Sequence, residues 1–233
     1  MSGYLLLEGG AEFGGQMAAP DLAALAAAGG PEAAVVIIPA AAAPDHNAER
    51  AGGNALRWFQ SLGATRVEVL PLVDRTSADD PIIAERLRQA RLIYLIGGFP
   101  SHLAHSLRAS RSWEAMRAAY RTGAVIAGSS AGAMVLGSHY YDPSATMVRP
   151  GLGLLGRICI IPHHETFGRR WVPALKQALP ATRLMGIDEE TGALRRGAAD
   201  PWQVFGKGRV TVYAQDQSKS WGHGEHFRIP NDV

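Results

Sequence analysis

Short apolar or β-branched runs alternate along the first half of this chain with longer stretches whose apolar residues recur at helical spacing. The runs lie at 4–7, 34–38, 66–70, 92–96 and 124–127, and the helical stretches at 21–28, 48–62, 80–89 and 113–120. A βαβα succession of this kind has few solutions. Crossover helices make neighbouring strands parallel and cover both faces of the sheet. The expected class is therefore α/β, a three-layer fold with a mostly parallel sheet and helices on both faces. Ligands of such sheets bind outside the carboxyl ends of the strands. Three of those ends carry glycine: Gly9 and Gly10, Gly97 and Gly98, and Gly128. Beyond 157 the rhythm turns β-rich, at 158–161, 183–187, 192–194 and 210–213, with no Pro/Gly/Ser linker between the halves. Residues 1–233 read as one domain, with a polar tail over 215–233 that is a candidate for partial mobility.

Composition narrows the function. The 23 Lys and Arg nearly balance the 21 Asp and Glu and form no polybasic run, so nucleic acid is not expected as a partner. The single cysteine, Cys159, excludes an internal disulfide and a multi-cysteine metal site. No basic segment precedes an apolar run at the start, and the Ala-rich stretch 18–43 is broken by Asp21, Pro31 and Glu32. Neither a signal peptide nor a membrane span is expected, and the default location is cytoplasmic.

Residues 124–134 contain the strongest chemical signal: an apolar strand, then Gly128-Ser129-Ser130-Ala131-Gly132, then a run able to form a helix. A G-x-S-x-G segment at a strand-to-helix turn presents the serine hydroxyl to substrate. Ser130 occupies the nucleophile position and Ser129 the variable one. The Ala131 N–H, and that of Gly98 after the fourth strand, are candidate oxyanion donors. The plain alternative is a tight βα turn with a solvated serine.

These residues, with Ile96-Gly97-Gly98 and the Gly151–Leu155 segment, resemble peptidase family S51, which holds cyanophycinase and the aspartyl dipeptidase peptidase E. The resemblance implies a flavodoxin-like, class I glutamine-amidotransferase-like fold and a Ser-His-Glu triad without cofactor or metal. It maps the base onto His163, in Pro162-His163-His164-Glu165, and the triad acid onto Glu189, in Asp188-Glu189-Glu190. His164 stays open as the base and Asp142 as the acid. His102 and His105 are candidates to line the pocket near Gly98. Family members place polar residues after the Gly-Gly of the fourth strand, where this chain has Phe99, Pro100 and Ser101. Phe99, Arg169 and Arg170 are the candidate substrate-binding residues, arginine forks being suited to carboxylates.

The expected function is thus a serine peptidase-like hydrolase of small peptides or isopeptides, with homodimerisation left open. Two other readings compete. One is an α/β-hydrolase esterase using Ser130, Asp188 and His223 or His226; the other is a non-catalytic ligand-binding protein on the same fold.

Overall fold

The computed structural model describes residues 2–214 and 217–229. In chain order its strands are β1 (Tyr4–Glu8), β2 (Ala34–Ile38), β3 (Arg66–Val69), β4 (Leu92–Leu95), β5 (Val125–Ser129), β6 (His139–Asp142) and β7 (Met147–Pro150). They continue with β8 (Ile158–Ile161), β9 (Arg183–Ile187), β10 (Thr191–Arg196), β11 (Trp202–Gly206), β12 (Val210–Ala214), β13 (Gln217–Trp221) and β14 (His226–Phe227). The α-helices are α1 (Ala18–Ala28), α2 (Ala48–Ser61), α3 (Arg75–Ala78), α4 (Pro81–Gln89), α5 (Pro100–Leu107), α6 (Arg111–Arg121), α7 (Ala131–Leu136) and α8 (Val172–Ala178).

The strands form two sheets. The larger has the order β14-β11-β10-β1-β5-β4-β2-β3. Its members β1, β5, β4, β2 and β3 are parallel, while β10, β11 and β14 extend it antiparallel beyond β1. The smaller sheet, β13-β12-β9-β8-β6-β7, is mixed: β6, β8 and β9 run parallel and the remaining pairs antiparallel. The α/β class is as expected; the parallel portion runs from β1 to the β3 edge of the large sheet and occupies the centre of the small one.

Both faces of the large sheet are apolar because successive strand residues point opposite ways. Leu5, Leu7, Val36, Ile38, Ile93, Leu95 and Ile126 face one core with Leu87 of α4, Leu103 of α5 and Met116 of α6. Leu6, Val35, Ile37, Leu92, Tyr94 and Val125 face the other, with Leu25 of α1 and Phe59 of α2. The small sheet repeats the arrangement: Ile158, Ile160, Met185 and Ile187 join the first core, whereas Cys159, Ile161 and Leu184 pack under α8. Helix starts are set locally. Asp80 accepts from Ile82 N–H at 2.7 Å ahead of Pro81, and Ser110 Oγ accepts from Trp113 N–H at 3.0 Å.

The polar tail contributes two strands. β13 pairs with β12 and β14 with β11, so residues 217–229 complete an edge of each sheet. Gln215, Asp216 and residues 230–233 lie outside the described residues. Among the described residues no helix is long and apolar enough to cross a membrane.

Under the end of β1 lies a fully buried pair of acids, Glu8 and Asp21. Tyr94 OH donates to Glu8 Oε2 at 2.5 Å and Trp58 Nε1–H to Asp21 Oδ2 at 2.7 Å. Glu8 Oε1 and Asp21 Oδ1 find no donor among the described residues, and the mutual repulsion of two buried charges favours one acid keeping its proton. Burial, then the charge of Asp21, pushes Glu8 well above the usual carboxylate range, and burial pushes Asp21 up to about 7. In the unfolded chain both titrate near about 4. Between these limits the folded state binds more protons, so the pair's stabilisation is whole in acid and is lost as pH rises to about 7 and beyond. Replacing Asp21 by Asn, which donates to Glu8 without titrating, should shift the melting temperature in the variant's favour as pH rises. Thermal unfolding of both proteins across that range measures the effect, and a pH-independent difference would contradict it.

Candidate active site

Ser130 sits where β5 turns into α7, with φ 48° and ψ −114°. A non-glycine residue there is strained by about 1–3 kcal/mol. The surroundings hold it: Ser130 N–H donates to Glu8 O at 3.0 Å, and Ser130 O accepts from Met134 N–H at 3.0 Å. The strain turns the side chain toward the strand ends. Ser129, one residue earlier, is fully buried.

The small sheet delivers the partners. His163 follows β8, itself at positive φ (49°), and its N–H donates to Gly9 O at 2.7 Å. Its Nε2 lies 3.0 Å from Ser130 Oγ and its Nδ1 2.7 Å from Glu189 Oε1, beyond the end of β9. Phe167 stacks on the imidazole at 4.8 Å between ring centroids. Glu189 N–H is held by the Glu165 carboxylate at 2.9 Å, and Thr166 Oγ1 is 3.5 Å from Glu189 Oε1. Burial, reinforced by the charges of Asp188 and Glu189, raises the Glu165 carboxyl. Gly10 makes room for the ring: a Cβ there would come within 2.2 Å of His163 Cε1, and its φ of +116° suits glycine.

The residues flanking these partners point elsewhere. His164 is buried, its Nδ1 3.1 Å from Asp188 Oδ1 and its Nε2 2.8 Å from Tyr213 OH. Asp188 also accepts from Arg209 N–H at 2.8 Å. Burial opposes its ionisation, but the hydrogen bonds from His164 and Arg209 outweigh this and lower its pKa. Glu190 accepts from Gln16 N–H at 3.0 Å and pairs with Lys207 at 3.2 Å. Asp142 is bound to Ser101 Oγ, to Arg149 Nε at 2.7 Å and to Ser144 N–H at 3.1 Å, so its carboxylate serves the β6–β7 hairpin. Burial resists its charge, yet those partners hold its pKa low. His164 and Asp142 are thus not brought to Ser130.

The esterase constellation is not assembled either. His223 accepts from Gly206 N–H at 3.2 Å beside Phe205, His226 is exposed on edge strand β14, and Asp188 is taken by His164. His102 Nε2 is 2.7 Å from Val73 O, and His105 is exposed. Burial pushes the Cys159 thiol up to about 12, leaving it an apolar core group. Among the described residues no group of three or more His, Cys, Asp or Glu is arranged to hold a metal ion.

Gly98, with φ +137°, follows β4, and neither its N–H nor that of Ala131 has an acceptor among the described residues. Phe99 comes next, 39 % exposed. Phe167, which the sequence reading passed over, is 41 % exposed. Arg169 and Arg170 are both exposed. The Arg169 charge acts on Tyr213, the partner of His164, opposing the burial that raises the Tyr213 hydroxyl. Glu12 was also missed. Its Oε1 accepts from Gly97 N–H at 2.7 Å.

With this geometry in place, comparison with known proteins becomes informative. The model of peptidase family S51 matches residues 5–198, a span that includes Ser130, His163 and Glu189. The chain belongs to peptidase family S51. Among curated S51 relatives, the cyanophycinase of Trichormus variabilis is 32% identical over 174 residues, covering 69% of this chain and 57% of the relative. That of Geminocystis herdmanii is 28% identical over 180 residues, covering 72% and 65%. The chain thus spans little more than half the length of the cyanophycinases it matches first. Among solved structures, a peptidase from an acI-B1 Actinobacterium superposes with a TM-score of 0.84 at 28% identity, over 98% of both chains. A putative peptidase E protein from Listeria monocytogenes shares the fold, with a TM-score of 0.65 at 17% identity over 89% of this chain and 100% of that one.

The adjacent histidines differ in partners, so their substitutions should differ in effect. Replacing His164 by Ala strips partners from Asp188 and Tyr213 and should cost about 2 kcal/mol of stability. Urea unfolding measures that loss. Reaction of Ser130 with a serine-directed reagent should persist in this variant and vanish in His163→Ala.

Proposed function

We propose that this S51 chain is a serine-type hydrolase of small peptides or isopeptides in which Ser130, His163 and Glu189 act together. The observation that carries the reading is the pair of contacts on one imidazole, Nε2 to Ser130 Oγ at 3.0 Å and Nδ1 to Glu189 Oε1 at 2.7 Å. Glu189 accepts a hydrogen bond from Nδ1–H, leaving Nε2 as a base toward the hydroxyl. Ser130 Oγ attacks the substrate carbonyl while its proton passes to His163, and Glu189 stabilises the imidazolium that results. The oxyanion meets the N–H groups of Gly98 and Ala131. His163 then protonates the leaving amine, and a water activated by the same imidazole hydrolyses the acyl-enzyme. Every group in this cycle belongs to the chain itself.

The cyanophycinase relatives support amide hydrolysis, while the substrate side differs from the polar family pattern. Phe99 follows Gly98, and Phe167 lies over His163. These walls favour a substrate with apolar surface beside the scissile bond over cyanophycin or a strict Asp-X dipeptide. A fluorophosphonate probe and a panel including Asp-X, β-Asp-Arg and N-blocked peptides test the reading. Wild type should be labelled and Ser130→Ala should not. Glu189→Gln should lower turnover by about 10³–10⁴-fold. Folded wild-type protein that neither takes the probe nor cleaves any peptide would instead favour the non-catalytic ligand-binding reading.

A further inference from the structure

Glu12 lies in the loop after β1, and that loop is contorted to bring it where it is. Ala11 and Phe13, its neighbours on either side, both have positive φ, 59° and 63°. Neither is a glycine, so the backbone is strained at both positions. The result is that the Glu12 carboxylate enters beneath the turn that follows β4. Its Oε1 accepts from Gly97 N–H at 2.7 Å. A Cβ built on Gly97 would lie 2.6 Å from that oxygen and 3.1 Å from Ser130 Cβ. The Glu12 carboxylate and Ser130 thus both crowd the turn at Gly97. Against the burial that raises it, the pKa of the same carboxylate is lowered by the nearby Ser129, the last residue of β5, and by the charge of His163.

This position bears on one group in particular. Gly97 and Gly98 are consecutive glycines and would otherwise leave the turn free to rotate. Two anchors bracket it: Glu12 on Gly97 N–H, and Ala41 O on Phe99 N–H at 2.8 Å. Between them lies the Gly98 N–H, whose direction is set once both anchors are made. A carboxylate is a costly choice for a merely structural tie, because burial raises its pKa against the opposing pull of Ser129 and of the Gly97 N–H.

We infer that Glu12 is a positioning residue of the hydrolytic reaction, its carboxylate oxygen aiming the Gly98 N–H at the substrate oxyanion through Gly97. The inference rests on the Ser130-centred mechanism proposed above. Oxyanion donors act on charge that develops in the transition state, so a misdirected Gly98 N–H lowers kcat more than it raises KM. What Glu12 must supply is an acceptor at one place, and a glutamine carbonyl supplies the same acceptor.

The test compares Glu12→Gln, which keeps the acceptor, with Glu12→Met, which keeps the length and loses it. The readouts are the rate of fluorophosphonate labelling and, on any peptide that wild type cleaves, kcat and KM. Thermal unfolding establishes that each variant is folded. Glu12→Met should react about 100-fold more slowly with KM nearly unchanged, and Glu12→Gln should recover most of that loss. The positioning role is overturned if Glu12→Met reacts at the wild-type rate, or if folded Glu12→Gln is as slow as Glu12→Met. Should Glu12→Met fail to fold, Glu12→Gln decides: a rate within about tenfold of wild type supports the role, and a larger loss overturns it. Absence of labelling in wild type itself would count against the mechanism rather than against Glu12.

Discussion

Three successive carbonyls at the end of β1 hold the site together. Glu8 O accepts from Ser130 N–H at 3.0 Å, Gly9 O from His163 N–H at 2.7 Å, and Gly10 O from Glu190 N–H at 3.1 Å. The serine belongs to the large sheet, whereas the histidine and glutamate follow strands of the small one. The first strand of the chain is thus the splice between them. Because these are backbone bonds, the relative placement of Ser130, His163 and Glu189 depends on chain path more than on side-chain packing. Close packing around the splice has a requirement of its own. A Cβ at Gly9 would lie 2.0 Å from Asp188 O, and one at Gly10 would strike the imidazole. Both positions accept only glycine if the two sheets are to meet as they do.

The electrostatics around this splice follow from burial. Glu8 offers its carbonyl to Ser130 while its side chain is kept from ionising by burial and by Asp21. Glu12 is the next carboxyl along the chain and is likewise raised by burial, though less isolated, since Ser129, Gly97 and His163 all favour its charged form. Negative charge is therefore restrained directly under the strand ends and admitted where a hydrogen-bond donor receives it. Glu189 meets the imidazole from the opposite, more open side, where its carboxylate remains 34% exposed.

Much of this was legible in the sequence, for reasons that differ by residue. The strands of the first half announce themselves because both faces are buried and the runs are continuously apolar. Ser130 is visible through its elbow, and His163 and Glu189 through strand ends and family resemblance. Choosing between His163 and His164 required knowing that Tyr213, on a strand some fifty residues on, takes the second ring at 2.8 Å. The division into two sheets was not visible, because strand pairing is a long-range choice that local pattern does not record. β13 was missed because Gln217–Trp221 has mostly exposed polar side chains and lies at an edge. Glu12 was missed for another reason: positive φ at Ala11 and Phe13 leaves no trace when the residues there are not glycine.

The splice also imposes an order in time. Synthesis makes β1 first, the serine-bearing β5 later, and β8 and β9 with their histidine and glutamate only afterwards. A growing chain therefore carries its serine for some thirty residues before the imidazole exists, and for almost sixty before Glu189 does. Until the small sheet closes onto β1, Ser130 Oγ has no imidazole beside it. On the proposed mechanism, the architecture would delay a reactive Ser130 until folding is nearly complete, a safeguard written into connectivity.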